Sequence, residues 1–226
     1  MKLNGLIPSR SAIIHLRLVF SFFLMPVFFF ALSQVPVINL GHAILVFIIW
    51  HLMVYPSSNG YNSYFDKDEG SIALVERPPK VDKSLYYFSL FLELVALLLS
   101  LLVSLQFVLV VFLYGLLSKL YSHPLTRFKK YPVISFLIVF IFQGGFVYWS
   151  TYAAISGLNL FFGWNMNFIL VGLICSFLIG ASYPLTQVYQ HQEDAKRGDK
   201  TLSMVLGIRG SFCFSACLFA MAVLFL

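Results

Sequence analysis

Charge is what this sequence has least of. Only 11% of its 226 residues are Asp, Glu, Lys or Arg, against 60% hydrophobic, whereas a soluble domain carries about 25% charged residues. With a mean hydropathy of +0.87, a water-soluble globule of this size has no interior large enough to hide the apolar surface. The bilayer must be the solvent. Cysteine is scarce as well. Cys175, Cys213 and Cys217 lie inside apolar runs with no histidine at ligand spacing. That excludes a disulfide framework and a Cys/His metal centre, and leaves small hydrophobic side chains.

Long apolar runs are abundant. They predict an all-α, multi-pass transmembrane bundle of about seven helices in one domain over residues 1–226. The spans fall near 11–33, 36–55, two within 85–121 separated by a tight reversal near 104–106, then 133–154, 167–187 and 211–226. The basic N-terminus and first apolar run resemble a signal peptide, but the run is long and more spans follow, so a retained helix is expected. A Gln143-Gly144-Gly145 sequence in the fifth span predicts a close helix contact. Glu93 is ionisable at mid-span, where a charge is costly; it is expected either to pair with His51 or Arg17 or to be protonated and bonded to a backbone carbonyl.

The basic residues test this topology. Lys2 and Arg10 precede the first span. Lys67, Arg77, Lys80 and Lys83 follow the second. Lys119, Arg127, Lys129 and Lys130 close or follow the fourth, and Lys196, Arg197, Lys200 and Arg209 follow the sixth. The loops after spans one, three and five hold no Lys or Arg. The positive-inside rule then places the N-terminus and the three polar loops in the cytoplasm, with the chain in the cell (inner) membrane. The net charge of +6 needs no nucleic acid partner.

Six of the nine acidic residues fall in two of these loops. The first reads Asn62-Ser-Tyr-Phe-Asp66-Lys67-Asp68-Glu69-Gly70, and the second Gln190-His-Gln-Glu193-Asp194-Ala-Lys196-Arg-Gly-Asp199. Mg²⁺ takes oxygen ligands, commonly one or two carboxylates plus substrate phosphates. Two such clusters on one membrane face suit a magnesium-bridged diphosphate. Lys67, Arg127, Lys129 and Lys196 are available for its non-bridging oxygens.

At these residues the chain resembles the UbiA superfamily of intramembrane prenyltransferases. Asn62 and Asp66 match the Asn and central Asp of the family's first motif. Ser63 and Gly70 stand where it has carboxylates, with Asp68 or Glu69 as substitutes, and Arg77-Pro78 follows. Tyr121-Ser-His-Pro124-Leu-Thr-Arg127-Phe-Lys129-Lys130 is similar to the middle loop. Gln190 replaces the first Asp of the second acidic motif and Asp194 matches the second, followed by Gly198, Thr201, Leu202 and Gly207. The family has nine helices, so the last two are expected to be missing here.

The resemblance implies Mg²⁺-dependent transfer of a prenyl group from a polyprenyl diphosphate to an aromatic or lipid-like acceptor, among membrane lipids. It implies Asp66 and Asp194 as catalytic. Asn62, Asp66, Asp68, Glu69, Gln190, Glu193 and Asp194 would be metal ligands. Asn62, Lys67, Tyr121, Arg127, Lys129, Lys130 and Lys196 would be diphosphate contacts. The 25 Phe and 12 Tyr fit an aromatic-lined chamber, and equally a lipid-facing surface. Ser63, Gly70 and Gln190 motivate an alternative, a catalytically inactive member serving as a membrane scaffold or lipid-binding protein. A transporter reading has only Glu93 to support it.

Overall fold

A computed structural model describes residues 7–67, 72, 75–161 and 164–226, without the side chain of residue 193. Among these residues the structure is helical, apart from loops and one isolated antiparallel bridge between Ile72 and Val75. Among the described residues six helices are long and apolar enough to cross a membrane, and a seventh, Phe20–Gln34, is shorter. Their outer faces are apolar, with Leu105 79% and Val223 71% exposed, as bilayer-facing surfaces must be. The chain divides into two compact units, residues 1–126 with 154–157, and residues 127–153 with 158–226.

The first unit holds α1 (Arg10–His15), α2 (Phe20–Gln34), α3 (Leu40–Asp66), α4 (Lys83–Ser100) and α5 (Leu105–Ser122). The sequence predicts one first span, 11–33, but the chain breaks between α1 and α2, where Arg17 takes a left-handed φ of 50°. The break lets α1 dock beside the start of α4. Ser11 Oγ donates to Lys80 O at 2.8 Å, and His15 Nε2 lies 2.9 Å from Pro79 O. Ala12, Leu16 and Leu85 close the contact. Asp82 caps α4 through the backbone N–H of Ser84 at 2.8 Å and also receives the Ser9 and Ser84 hydroxyls. Burial pushes this carboxyl upward, but the hydrogen bonds to its charged form outweigh burial and hold it below its ordinary value.

The second predicted span ends near 55, yet α3 runs on to Asp66. A wide π-turn at Ile49–Val54 precedes Pro56; the extra residue relieves the clash that proline would otherwise make with the preceding turn. The continuation is held by packing. Ser57 Oγ donates to Ser89 O at 2.8 Å, and Gly60 passes so close to α4 that a Cβ would meet Leu85 and Leu16 side-chain atoms at 3.0 Å. The reversal before α5 sits where the sequence predicts it, with Ser104 Oγ accepting from the Phe107 N–H at 3.1 Å. Glu93 pairs with Lys119 across this hairpin, and His51 instead meets Ser21 Oγ at 2.7 Å. The expected pairing of Glu93 with His51 or Arg17 is thus corrected: the antiparallel partner helix supplies the nearest cation.

The second unit holds a 3₁₀ turn at Phe128–Lys130, α6 (Pro132–Ser156, its last residues in the first unit), α7 (Met166–Val188), α8 (His191–Arg197) and α9 (Leu202–Leu224). The close contact predicted at Gly144-Gly145 is present. A Cβ on Gly144 would lie 2.7 Å from Ser176 N, and one on Gly145 2.9 Å from Gly172 O. The Gly145 N–H donates to Ser176 Oγ at 2.9 Å. The last span begins at Leu202, nine residues before its predicted start. Gly207, at φ 68° and ψ 171°, kinks it in a conformation open to glycine. Arg209 therefore lies on the helix, exposed, where a long basic side chain can extend toward the interface.

Candidate functional site

The first acidic motif is helical as far as Asp66. Residues 58, 62 and 66 repeat every four positions and share one face of α3. Two of them are held by the same face of α5. Ser118 Oγ donates to Ser58 Oγ at 2.6 Å, and Ser122 Oγ donates to Asn62 Oδ1 at 2.9 Å. Both bonds advance by four residues, so α3 and α5 run in the same direction there. Asp66 ends the helix, half-buried. Lys67 follows as the left-handed cap at φ 50°, its N–H donating to Ser63 O at 3.0 Å. A non-glycine residue in that conformation is strained, and it turns the chain out of the helix at the motif. The Lys67 side chain is exposed.

An aromatic group lies under this helix end. Phe65 packs against Tyr61 at 4.9 Å and His123 at 5.2 Å between ring centroids, and Tyr64 against Tyr86 at 5.1 Å. Tyr121 is half-buried in the last turn of α5, next to Ser122. Asp68 and Glu69 lie outside the described residues.

The second motif is built differently. Asp194 sits in α8, 7% exposed, and Asp199 just beyond it, 5% exposed. Gly198, at φ 74°, ends the helix, and the Asp199 N–H donates to Asp194 O at 3.0 Å. Each carboxylate faces an arginine. Arg127 Nε and Nη2 bind both oxygens of Asp199 at 2.8 and 2.7 Å. Arg197 Nη1 lies 3.9 Å from Asp194 Oδ1. Buried carboxylates need such partners, and the two-pronged arginine pair is the stronger form. The Arg127 fork, expected to face phosphate, is thus engaged by Asp199, a residue to which the sequence reading gave no role.

Gln190 Nε2 donates to the Tyr189 hydroxyl at 3.3 Å. The buried amide of this region is Gln187, one turn earlier, whose Oε1 accepts from the Ser203 N–H at 3.3 Å at the start of α9. His191 Nε2 lies 2.6 Å from the Ser203 hydroxyl. Sequence reading missed this Gln187–His191–Ser203 group. Its one available signal was the four-residue spacing of two polar side chains leading into the motif. Lys129 is buried, Lys130 Nζ lies 4.9 Å from the centre of the Tyr131 ring, and Lys196 is exposed. Glu193 follows His191 in α8 by two residues.

The donor chemistry of both motifs is amide and carboxylate oxygen. The cysteines lie far along apolar helices, Cys175 in α7 and the others in α9. Oxygen-only donors fit a hard cation such as Mg²⁺. Among the described residues no three His, Cys, Asp or Glu side chains gather into a cage.

Residues 19–226 match the model of the UbiA prenyltransferase family. No curated protein matches the chain. Among solved structures, a UbiA homolog from Archaeoglobus fulgidus bound to GPP and Mg²⁺ is 19% identical, with a TM-score of 0.72 over 95% of this chain and 76% of that one. The same homolog bound to DMAPP and Mg²⁺ is 18% identical, with a TM-score of 0.71 over the same shares. A digeranylgeranylglyceryl phosphate synthase is 21% identical, with a TM-score of 0.66 over 96% of this chain and 75% of that one. The helical, membrane-spanning fold and the family match therefore agree, and the chain belongs to the UbiA prenyltransferase family.

Proposed function

We propose that this chain is an Mg²⁺-dependent prenyltransferase that takes a polyprenyl diphosphate and an aromatic or lipid-like acceptor within the membrane. The observation that carries the reading is the end of α3. There Asn62 and Asp66 present oxygen donors one turn apart, and Ser122 fixes the Asn62 amide. The relatives solved with GPP or DMAPP and Mg²⁺ support it.

Asn62, Asp66 and Asp194 are the principal metal ligands, with Asp68, Glu69, Gln190 and Glu193 in support. When bound, Mg²⁺ neutralises the charge of the leaving diphosphate. Lys67, Lys129, Lys130 and Lys196 supply ammonium groups to its oxygens, and Tyr121 a hydroxyl. The allylic carbon–oxygen bond breaks with its electron pair on the diphosphate. The acceptor donates the pair for the new bond and releases its proton. The buried arginine–carboxylate pairs around Asp194 and Asp199 hold the second motif rigid, so that little reorganises when substrate binds. We place the chain in the cell membrane with its N-terminus and acidic motifs on the cytoplasmic side, as the basic residues require.

Membranes carrying the protein are to be incubated with radiolabelled polyprenyl diphosphates and a panel of quinone, phenol and porphyrin-like acceptors. Asp66→Ala and Asp194→Ala are each expected to reduce transfer more than 100-fold. Turnover unchanged in either variant contradicts the assignment. One observation favours a second reading, an inactive scaffold or lipid-binding member: Gln190 faces Tyr189 where the family has a carboxylate. Absence of a Mg²⁺-dependent thermal shift with geranylgeranyl diphosphate selects that reading.

A further inference from the structure

Helix α1 has six residues and lies ahead of residue 19, where the family match begins. A helix so short is unstable alone. Four contacts fasten it to the segment that leads into α4. The Ser9 N–H donates to Ser84 Oγ at 3.2 Å, and Ser9 Oγ donates to the Asp82 carboxylate. Ser11 Oγ donates to Lys80 O, and His15 Nε2 lies beside Pro79 O. Arg10 stands between the two serines. It is therefore brought, across 69–75 residues of sequence, to the segment that holds Lys80 and Lys83, with Arg77 just before them.

Arg10, Arg77, Lys80 and Lys83 are all exposed. Among the described residues none of the four is paired with a carboxylate. Asp82 already accepts from Ser9 and Ser84. Glu76 is the other acid of residues 76–84, so the patch keeps a cationic excess. The docked face of α1 is Ala12, His15 and Leu16, all buried. The opposite side carries Arg10 and, three residues on, Ile13, which is 50% exposed. Leu18 and Phe22 follow, also exposed.

A topology signal needs basic residues near a span, not their assembly in the folded chain. Here hydrogen bonds from Ser9, Ser11 and His15 perform that assembly, and they set it beside apolar side chains. A small soluble anion would use the cations alone. An amphiphile with an anionic head and acyl chains uses both. Guanidinium and ammonium groups suit phosphate oxygens, and basic clusters next to a span attract anionic lipids.

We propose that the junction of α1 with α4 binds an anionic glycerophospholipid, its headgroup phosphate on Arg10, Lys80 and Lys83 and its chains along Ile13 and Phe22. On the orientation proposed above, this lipid belongs to the cytoplasmic leaflet. The binding does not depend on the transferase reading.

The test uses the full chain in phosphatidylcholine vesicles. The probe is a phosphatidylglycerol with a photoreactive diazirine on its acyl chain, and the control is the matching phosphatidylcholine. Labelled peptides are mapped by mass spectrometry. The phosphatidylglycerol probe is expected to label residues 7–22 about tenfold more than the control, and excess unlabelled phosphatidylglycerol to suppress the difference. Arg10→Gln with Lys80→Gln is expected to bring the two probes level there. If that variant fails to fold, Arg77→Gln with Lys83→Gln removes the same charge from the same patch and should narrow the difference severalfold. Lys200→Gln, at an exposed lysine of the second unit, should leave it unchanged.

Equal labelling by the two probes, or a difference that survives both double variants, overturns the proposal. So does a loss as large in Lys200→Gln, which would mean that overall charge and not this patch attracts the lipid. Displacement of the probe by inorganic phosphate would mark a site for a free anion and overturns it as well.

Discussion

The two acidic motifs use the same functional groups in opposite ways. In the first, Asn62 and Asp66 lie at the open end of a long helix, and a neutral hydroxyl, Ser122, steadies Asn62. In the second, Asp194 and Asp199 are buried and face arginines. A carboxylate paired with arginine, as Asp194 is with Arg197, is tied to its own helix before any ion arrives. The difference teaches that motif carboxylates of equal standing in sequence can differ in how firmly the fold already engages them.

Mutations break the comparison in proportion. Asp66→Ala should produce the largest functional loss, more than 100-fold in transfer, with little change in the thermal midpoint. Asp194→Ala should lose activity and also stability. Removing one member of a buried charge pair costs about 3–5 kcal/mol, read as a lowered midpoint in the same detergent. Equal midpoints for the two variants would erase the distinction. Arg127→Lys sharpens it further. A lysine cannot reproduce the two-pronged contact with Asp199, so stability should fall by about 1–3 kcal/mol. Ser122→Ala removes one neutral hydrogen bond, worth about 1 kcal/mol, and should raise the Mg²⁺ concentration for half-maximal activity severalfold while lowering the midpoint by only about 2–4 °C.

The smallest effect is expected at Asp82, the cap of α4. Its carboxyl is held below the ordinary value, so its contribution is present above about pH 4 and fades as acid protonates it in the folded state. Asp82→Asn should keep much of the helix cap and flatten that acid dependence of the midpoint.

Much of the architecture was legible because apolar length and the placement of Lys and Arg are local properties. The α4–α5 reversal at Ser104 follows from them, and the Gly144-Gly145 contact with α7 from another local property, two adjacent residues without side chains. The end of α3 was not legible. Tyr55-Pro-Ser-Ser-Asn-Gly-Tyr-Asn reads as loop, since proline, glycine and small polar residues weaken a helix. Packing on Ser89 and Leu85 of α4 holds it helical instead. The pairings of Glu93 with Lys119 and of Arg127 with Asp199 depend on helix register and on contacts 26 and 72 residues apart, which spacing along the chain does not encode. Asn62, Asp66 and Asp194 were legible through the motif pattern, but their contrasting environments were not.

The central claim is that Asn62 and Asp66 hold a magnesium ion for a prenyl diphosphate. Calorimetric titration of GPP into the full chain, with Mg²⁺ and then with EDTA, tests it directly on the native protein and on Asp66→Asn. Binding that requires Mg²⁺ and is lost in Asp66→Asn is the predicted result. GPP binding of equal affinity in EDTA, or in Asp66→Asn, would contradict it.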